Sequence, residues 1–220
     1  MIIKKRKIFN AFFQGLCFGM AFFVISVLIA ILVRVFFGGA GVITPGFLLK
    51  KPIEGMTAGG IFPAIFGTIC ITVLMIIMAI PAGIAAAIYL TEYTGKGFLG
   101  RVIRASINNL AGVPSIVFGL FGVGFFILFV GRGIDRIMGF SLAFGQPVML
   151  WAASTLALLV LPVIIVTTEE ALNSVPVSLR EAAFALGATK WQVVRNVVLP
   201  QARSGILTGA ILSISRGAGE

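Results

Sequence analysis

The sequence contains no histidine, and only seven of its 220 residues are acidic. Without imidazole, the commonest general base and the commonest nitrogen ligand for zinc are both missing. The adjacent acids Glu169 and Glu170 have no third ligand at suitable spacing, so neither a metal centre nor a catalytic site is expected. Cysteine is scarce too. Cys17 and Cys70 stand alone in apolar surroundings, which excludes a disulfide framework and makes them small packing residues. No GxxxxGK[ST] phosphate loop occurs, so ATP is not expected to be hydrolysed by a P-loop on this chain. Charged residues make up 11% of the chain, against roughly 25% in an ordinary soluble domain.

What is present in quantity is hydrocarbon. Apolar residues make up 59% of the chain and the mean hydropathy is +1.12, which reads as an all-α integral membrane protein with the bilayer as its apolar solvent. The net charge of +10 would raise nucleic acid as a partner on a soluble chain. Here the charges sit in short clusters beside apolar runs, so they are read as topology signals and no nucleic acid is expected. The basic head Lys4–Lys7 followed by an apolar stretch superficially resembles a signal peptide. That stretch is too long, and residues 34–41 lack a small-residue cleavage pattern, so it is read as an uncleaved first span.

Five spans are expected, at Phe9–Phe37, Phe66–Leu90, Ile107–Val130, Val148–Thr168 and Ser204–Glu220. Pro81, Pro114 and Pro162 fall inside spans, where neighbouring helices compensate for the lost backbone bond. An inside N-terminus places eleven basic residues on the cytoplasmic side: Lys4, Lys5, Arg6, Lys7, Lys96, Arg101, Arg104, Arg180, Lys190, Arg195 and Arg203. The other side receives Arg34, Lys50, Lys51, Arg132 and Arg136, and the asymmetry supports a cytoplasmic N-terminus. The last span carries Arg216 and Glu220 and has no polar flank, so the chain reads as C-terminally truncated within it.

One polar interlude, EAAFALGATKWQVVRNVVLP at Glu181–Pro200, separates the last two spans. Ser178 with Glu181 and Thr189 with Gln192 both have capping-box spacing, predicting a helix through Leu186, a left-handed turn at Gly187 and a second helix ending near Pro200. The apolar side, Ala182, Ala183, Phe184 and Leu186, is too short to span a membrane and needs a groove to fill. A loop lying on the inner membrane surface is the physical alternative.

The pattern of Glu181, Ala182, Ala183, then Gly187, Val197, Leu199 and Pro200 resembles the signature loop of ABC importer permeases. Its Val197 stands where isoleucine is usual. Further upstream, LPVIIVTTEEALNSVPVSLR at 161–180, NNLAGVPSIVFGLFG at 108–122, PAGIAAAIYLTEY at 81–93 and GGIFPAIFGT at 59–68 are similar to the A-type permease subunit of phosphate importers (PstA type). Val166 departs from that pattern at a position often held by arginine.

The resemblance implies a type I ABC importer permease fold, with five of the usual six transmembrane helices present. Residues 1–58 would form the tail, first span and external loop, and residues 59–220 a permease core carrying the coupling segment 178–200. It also implies a second permease subunit of C type, two ATPase subunits that bind the ATP, an external phosphate-binding protein, and a bacterial or archaeal cytoplasmic membrane; no cofactor is expected on this chain. Another oxyanion such as molybdate or sulfate is the alternative cargo, and a secondary transporter or channel the alternative mechanism.

Within the spans, an arginine is costly and needs a partner or water. Glu220 lies four residues after Arg216, spacing that permits an intrahelical ion pair. Such a pair either locks helices together or offers Arg216 as a forked donor to an anion, with Glu220 limiting how tightly it is held. The resemblance favours the latter. Asn108, Asn109, Gly112, Pro114 and Ser115 are placed at the inner end of the third span, either packing helices together or presenting backbone N–H groups to an oxyanion. Thr167, Thr168, Glu169 and Glu170 read as a solvated end of the fourth span, or as a contact with an ATPase or gate.

Overall fold

The structure, a computed structural model, describes residues 2–53, 55, 58–94 and 97–220; Lys96 lies outside the described residues. Two compact units divide it, Met1–Ile65 and Phe66–Glu220. In the first, helix α1 (Ile2–Gly39) includes the basic head Lys4–Lys7, and nothing in its apolar, membrane-length stretch Phe12–Gly39 is buried. Thr44 Oγ1 accepts the N–H of Phe47 at 3.2 Å and so caps the short helix α2 (Pro45–Leu49). Strands β1 (Pro52–Ile53) and β2 (Ala58–Gly59) then pair antiparallel, Pro52 opposite Gly59.

The second unit is helical. Helix α3 (Phe62–Ile88) runs through Pro81 into a widened π turn at Tyr89–Tyr93. Helix α4 (Phe98–Ala111) is strongly amphipathic and stands apart from the next span. Helix α5 (Ser115–Phe121), a π stretch at Gly122–Gly131 and helix α6 (Arg132–Met138) form one apolar rod. Helix α7 (Met149–Asn173) occupies the centre; half of its most apolar stretch is buried. Helix α8 (Val177–Ala185) and helix α9 (Lys190–Val193) form an elbow, and α9 continues through a π turn (Val194–Val198) into helix α10 (Leu199–Gly219).

Among the described residues, five helices are long and apolar enough to cross a membrane, as expected, but three expectations need correction. The third span begins at Ser115, not Ile107, because Gly112–Pro114 breaks the chain. Pro114 sits at the N-terminal boundary of α5, where its missing N–H costs nothing. Asn108 and Asn109 therefore belong to α4. The fourth span does not stop at Thr168 but continues to Asn173. The helix after Thr189 does not end near Pro200. The wider π turn just before it absorbs the missing donor, and the last span runs unbroken from Lys190 to Gly219.

Two apolar clusters flank α7. One gathers Met75, Ala79, Phe118, Ala157, Val160 and Ile164; the other joins Ala87, Leu90, Ile165, Leu172, Val193 and Val198. Along α10, Gly205, Gly209, Ser213 and Gly217 recur every fourth residue and make one face small. A Cβ on Gly205 would lie 2.5 Å from Ala171 Cβ, and one on Gly209 would overlap Thr167. The two backbones thus approach as closely as small-residue packing in membranes allows. Three hydroxyls inside the bundle return to their own helix: Thr155 Oγ1 donates to Trp151 O (2.8 Å), Thr167 Oγ1 to Val163 O (2.7 Å) and Ser213 Oγ to Gly209 O (2.8 Å). At one end of the bundle the buried Asp135 carboxylate accepts N–H groups from Ala143 (3.2 Å), Phe144 (2.9 Å) and Gly145 (2.7 Å), and Trp151 Nε1 donates to Phe144 O at 2.7 Å.

Candidate functional site

The elbow at residues 177–200 is built by its turn. Gly187 has φ +81°, a left-handed conformation that costs glycine nothing. The Ala188 N–H bonds Ala183 O (3.2 Å) and the Gly187 N–H bonds Phe184 O (2.9 Å), the paired closing bonds of a Schellman cap. Thr189 and Gln192 form the expected capping box, with the Thr189 N–H donating to Gln192 Oε1 at 2.7 Å. The Ser178–Glu181 box does not form. Pro176 occupies the N-cap and sets the helix start, so Ser178 lies already within the first turn. Ala183 and Leu199 pack partly against the bundle, whereas Glu181, Ala182, Gly187 and Pro200 face outward. Phe184 is 48% exposed and Leu186 90% exposed at the bend.

The base of the elbow is polar. Arg180, on α8, pairs with Glu92 at 2.8 Å and donates through Nη2 to Leu172 O at 2.6 Å. Arg104, on α4, pairs with Glu169 at 3.0 Å and donates through Nη2 to Leu90 O at 2.6 Å. Each arginine therefore takes one acceptor from the end of α3 and one from the end of α7, a carboxylate in one case and a carbonyl in the other. The rigid guanidinium fork suits such two-ended bonding. Lys190 Nζ adds a contact 4.9 Å above the Tyr93 ring. Glu169 is thus an internal partner, not a solvated helix end, and Thr168 beside it is fully buried.

At the opposite end of the bundle a cavity of about 500 Å³ is lined by Thr68, Thr72, Thr155, Trp151, Gly217 and Glu220, among others. Arg216 is exposed and is not part of that lining. The expected ion pair between Arg216 and Glu220 is absent among the described residues; Glu220 lines the cavity and Arg216 does not. Asn108 and Asn109 are exposed on α4, and Ser115 opens α5 across the Gly112–Pro114 break. These candidates are not brought together with Arg216 around one cavity. The arginine staples were not legible as sites in the sequence. The blocks EEALNSVPVSLR and YLTEY contain three of the four charges, but nothing local pairs residues so far apart in the chain.

A family model described as a binding-protein-dependent transport system inner membrane component matches residues 79–220. The phosphate transport system permease protein PstA of Mycobacterium leprae (strain TN) is 42% identical over 163 residues, covering 74% of this chain and 49% of that protein. PstA of Pasteurella multocida (strain Pm70) is 34% identical over 215 residues, covering 98% of this chain and 72% of the relative. The chain thus spans about half the length of the first curated relatives it matches. Among solved structures, an inward-facing MetNI methionine ABC transporter superposes with a TM-score of 0.57 at 24% identity, over 71% of this chain and 69% of the other; the likeness establishes the fold.

Proposed function

We propose, because the chain belongs to the family of binding-protein-dependent transport system inner membrane components, that it is a membrane-spanning permease subunit of an ATP-driven phosphate importer. In this reading the N-terminus and the elbow face the cytoplasm, in keeping with the distribution of basic residues. Two ATPase subunits bind and hydrolyse the ATP, a second permease chain of C type completes the pathway, and an external binding protein delivers phosphate. Closing and reopening of the ATPases moves the elbows and so alternates the pathway between outward-open and inward-open states.

The observation that carries this reading is the elbow itself: a rigid turn, fixed to the bundle, with Phe184, Leu186 and Val177 turned outward at 48%, 90% and 64% exposure. Burying one such side chain in a partner's groove contributes about 1.5–3 kcal/mol. Phosphate as cargo is supported by the relatives carrying the name PstA. In the assembled transporter, Phe184→Asp and Leu186→Asp are expected to leave insertion intact and to abolish co-purification of the ATPase; full retention of the ATPase refutes docking at this elbow. Labelled phosphate should accumulate in vesicles upon ATP addition. Preferential uptake of molybdate or sulfate would replace the cargo.

A further inference from the structure

The two arms of the elbow are attached to the bundle in different ways. The second arm, α9, is continuous with α10, so any displacement of it reaches the last span through the backbone. The first arm, α8, follows the end of α7 after a short turn, but it has no covalent route to α3. Its polar connection to α3 is the Arg180–Glu92 pair at 2.8 Å; the second arm adds Lys190 over Tyr93 at 4.9 Å. Both contacts fall on the same π turn, Tyr89–Tyr93. Arg180 simultaneously holds Leu172 O at the end of α7. Its side chain is 18% exposed and that of Glu92 9% exposed, so the pair is largely shielded from the water that weakens exposed ion pairs.

We propose that Arg180 and Glu92 are positioning residues that transmit elbow displacement to α3, so that α3 and α7 move with α8 as one body when the partner ATPases close. This rests on the proposed docking of an ATPase at the elbow. It goes further by naming the helix that receives the motion and the charge pair that passes it on. An ion pair is suited to the task, since it resists separation of α8 from α3 while allowing small changes of angle, and the π turn supplies local backbone compliance at the point of attachment.

The test uses the assembled transporter in membrane vesicles, with Cys17→Ser, Cys70→Ala and Thr72→Cys placing a single thiol on α3 beside the cavity. Maleimide labelling of that thiol is read with and without ATP and vanadate, and retention of the ATPase subunits is measured in parallel. With the pair intact, labelling changes upon nucleotide addition. Glu92→Gln and Arg180→Met are expected to reduce that change by at least about fivefold, the lower range of ordinary coupling between sites, while ATPase retention stays normal. The swap Glu92→Arg with Arg180→Glu is expected to restore it.

An unchanged response in both single variants overturns the proposal. Lost ATPase retention in both, unrepaired by the swap, also overturns it by assigning the pair to folding of the elbow. If the transporter with the pair intact keeps its ATPase but gives no nucleotide response at Thr72→Cys, α3 does not receive the motion and the proposal fails while docking stands. If the Asp substitutions at Phe184 and Leu186 leave ATPase retention unaffected, the docking reading is the one that fails.

Discussion

The seam between α7 and α10 makes a quantitative prediction. A Cβ placed on Gly209 overlaps Thr167 Oγ1 and lies 2.8 Å from Thr167 Cβ, against an optimum of about 3.5–4.0 Å for non-bonded carbons. Gly209→Ala therefore forces the helices apart by about 1 Å or drives Thr167 from its rotamer, an overpacking cost of about 1–3 kcal/mol. Alanine also gains helix propensity over glycine, which complicates any single comparison. Gly67→Ala supplies the reference, since that position in α3 has nothing within 4 Å and shares the propensity gain. The difference between the two variants isolates the steric term. It corresponds to about 2–12 °C in melting temperature for a chain of this size, readable by heating detergent-solubilised protein and following the monodisperse fraction. Adding Thr167→Ala should recover part of the loss. A Gly209→Ala protein that melts as high as Gly67→Ala refutes the close-packed seam.

Two further outcomes follow from particular side chains. Asp135→Ala removes the acceptor of three backbone N–H groups, costing about 1–3 kcal/mol, and should make residues 139–147 the first site of limited proteolysis while leaving the ATPase contact unaffected. If Arg216 offers its guanidinium to the anion, as the resemblance implies, Arg216→Gln should abolish phosphate uptake with assembly intact; loss of assembly would instead assign Arg216 to packing.

The spans were legible because hydropathy integrates over many residues, and errors of a few positions do not alter the sum. The start of the third span was misplaced for the same reason. The apolar side of α4, with Ile103 and Ile107 packed on the bundle, blends into the following run, and only Gly112–Pro114 marks the break. The Thr189–Gln192 cap was legible because it is local, whereas the Ser178–Glu181 box yielded to Pro176, two residues before Ser178. The four-residue spacing of Arg216 and Glu220 permits a pair without imposing one, and Glu220 lines the cavity while Arg216 does not. The Arg104–Glu169 and Arg180–Glu92 pairs join residues far apart in the chain, and such pairing depends on how α3, α4, α7 and α8 meet. In the sequence those arginines carry only topological weight, and Glu169 reads as a solvated helix end or an external contact. The elbow was legible as a shape, while its attachment was not.

The row Gly205, Gly209, Ser213, Gly217 has a mechanical consequence. Four residues of α helix advance about 6 Å, so sliding α10 along α7 by one step would carry Ser213 into the place of Gly209 or of Gly217, where even a bare Cβ runs into Thr167 or Met75. The seam therefore fixes the axial register of the two helices as well as their spacing, and α10 and α7 are keyed to move as a pair, not past one another.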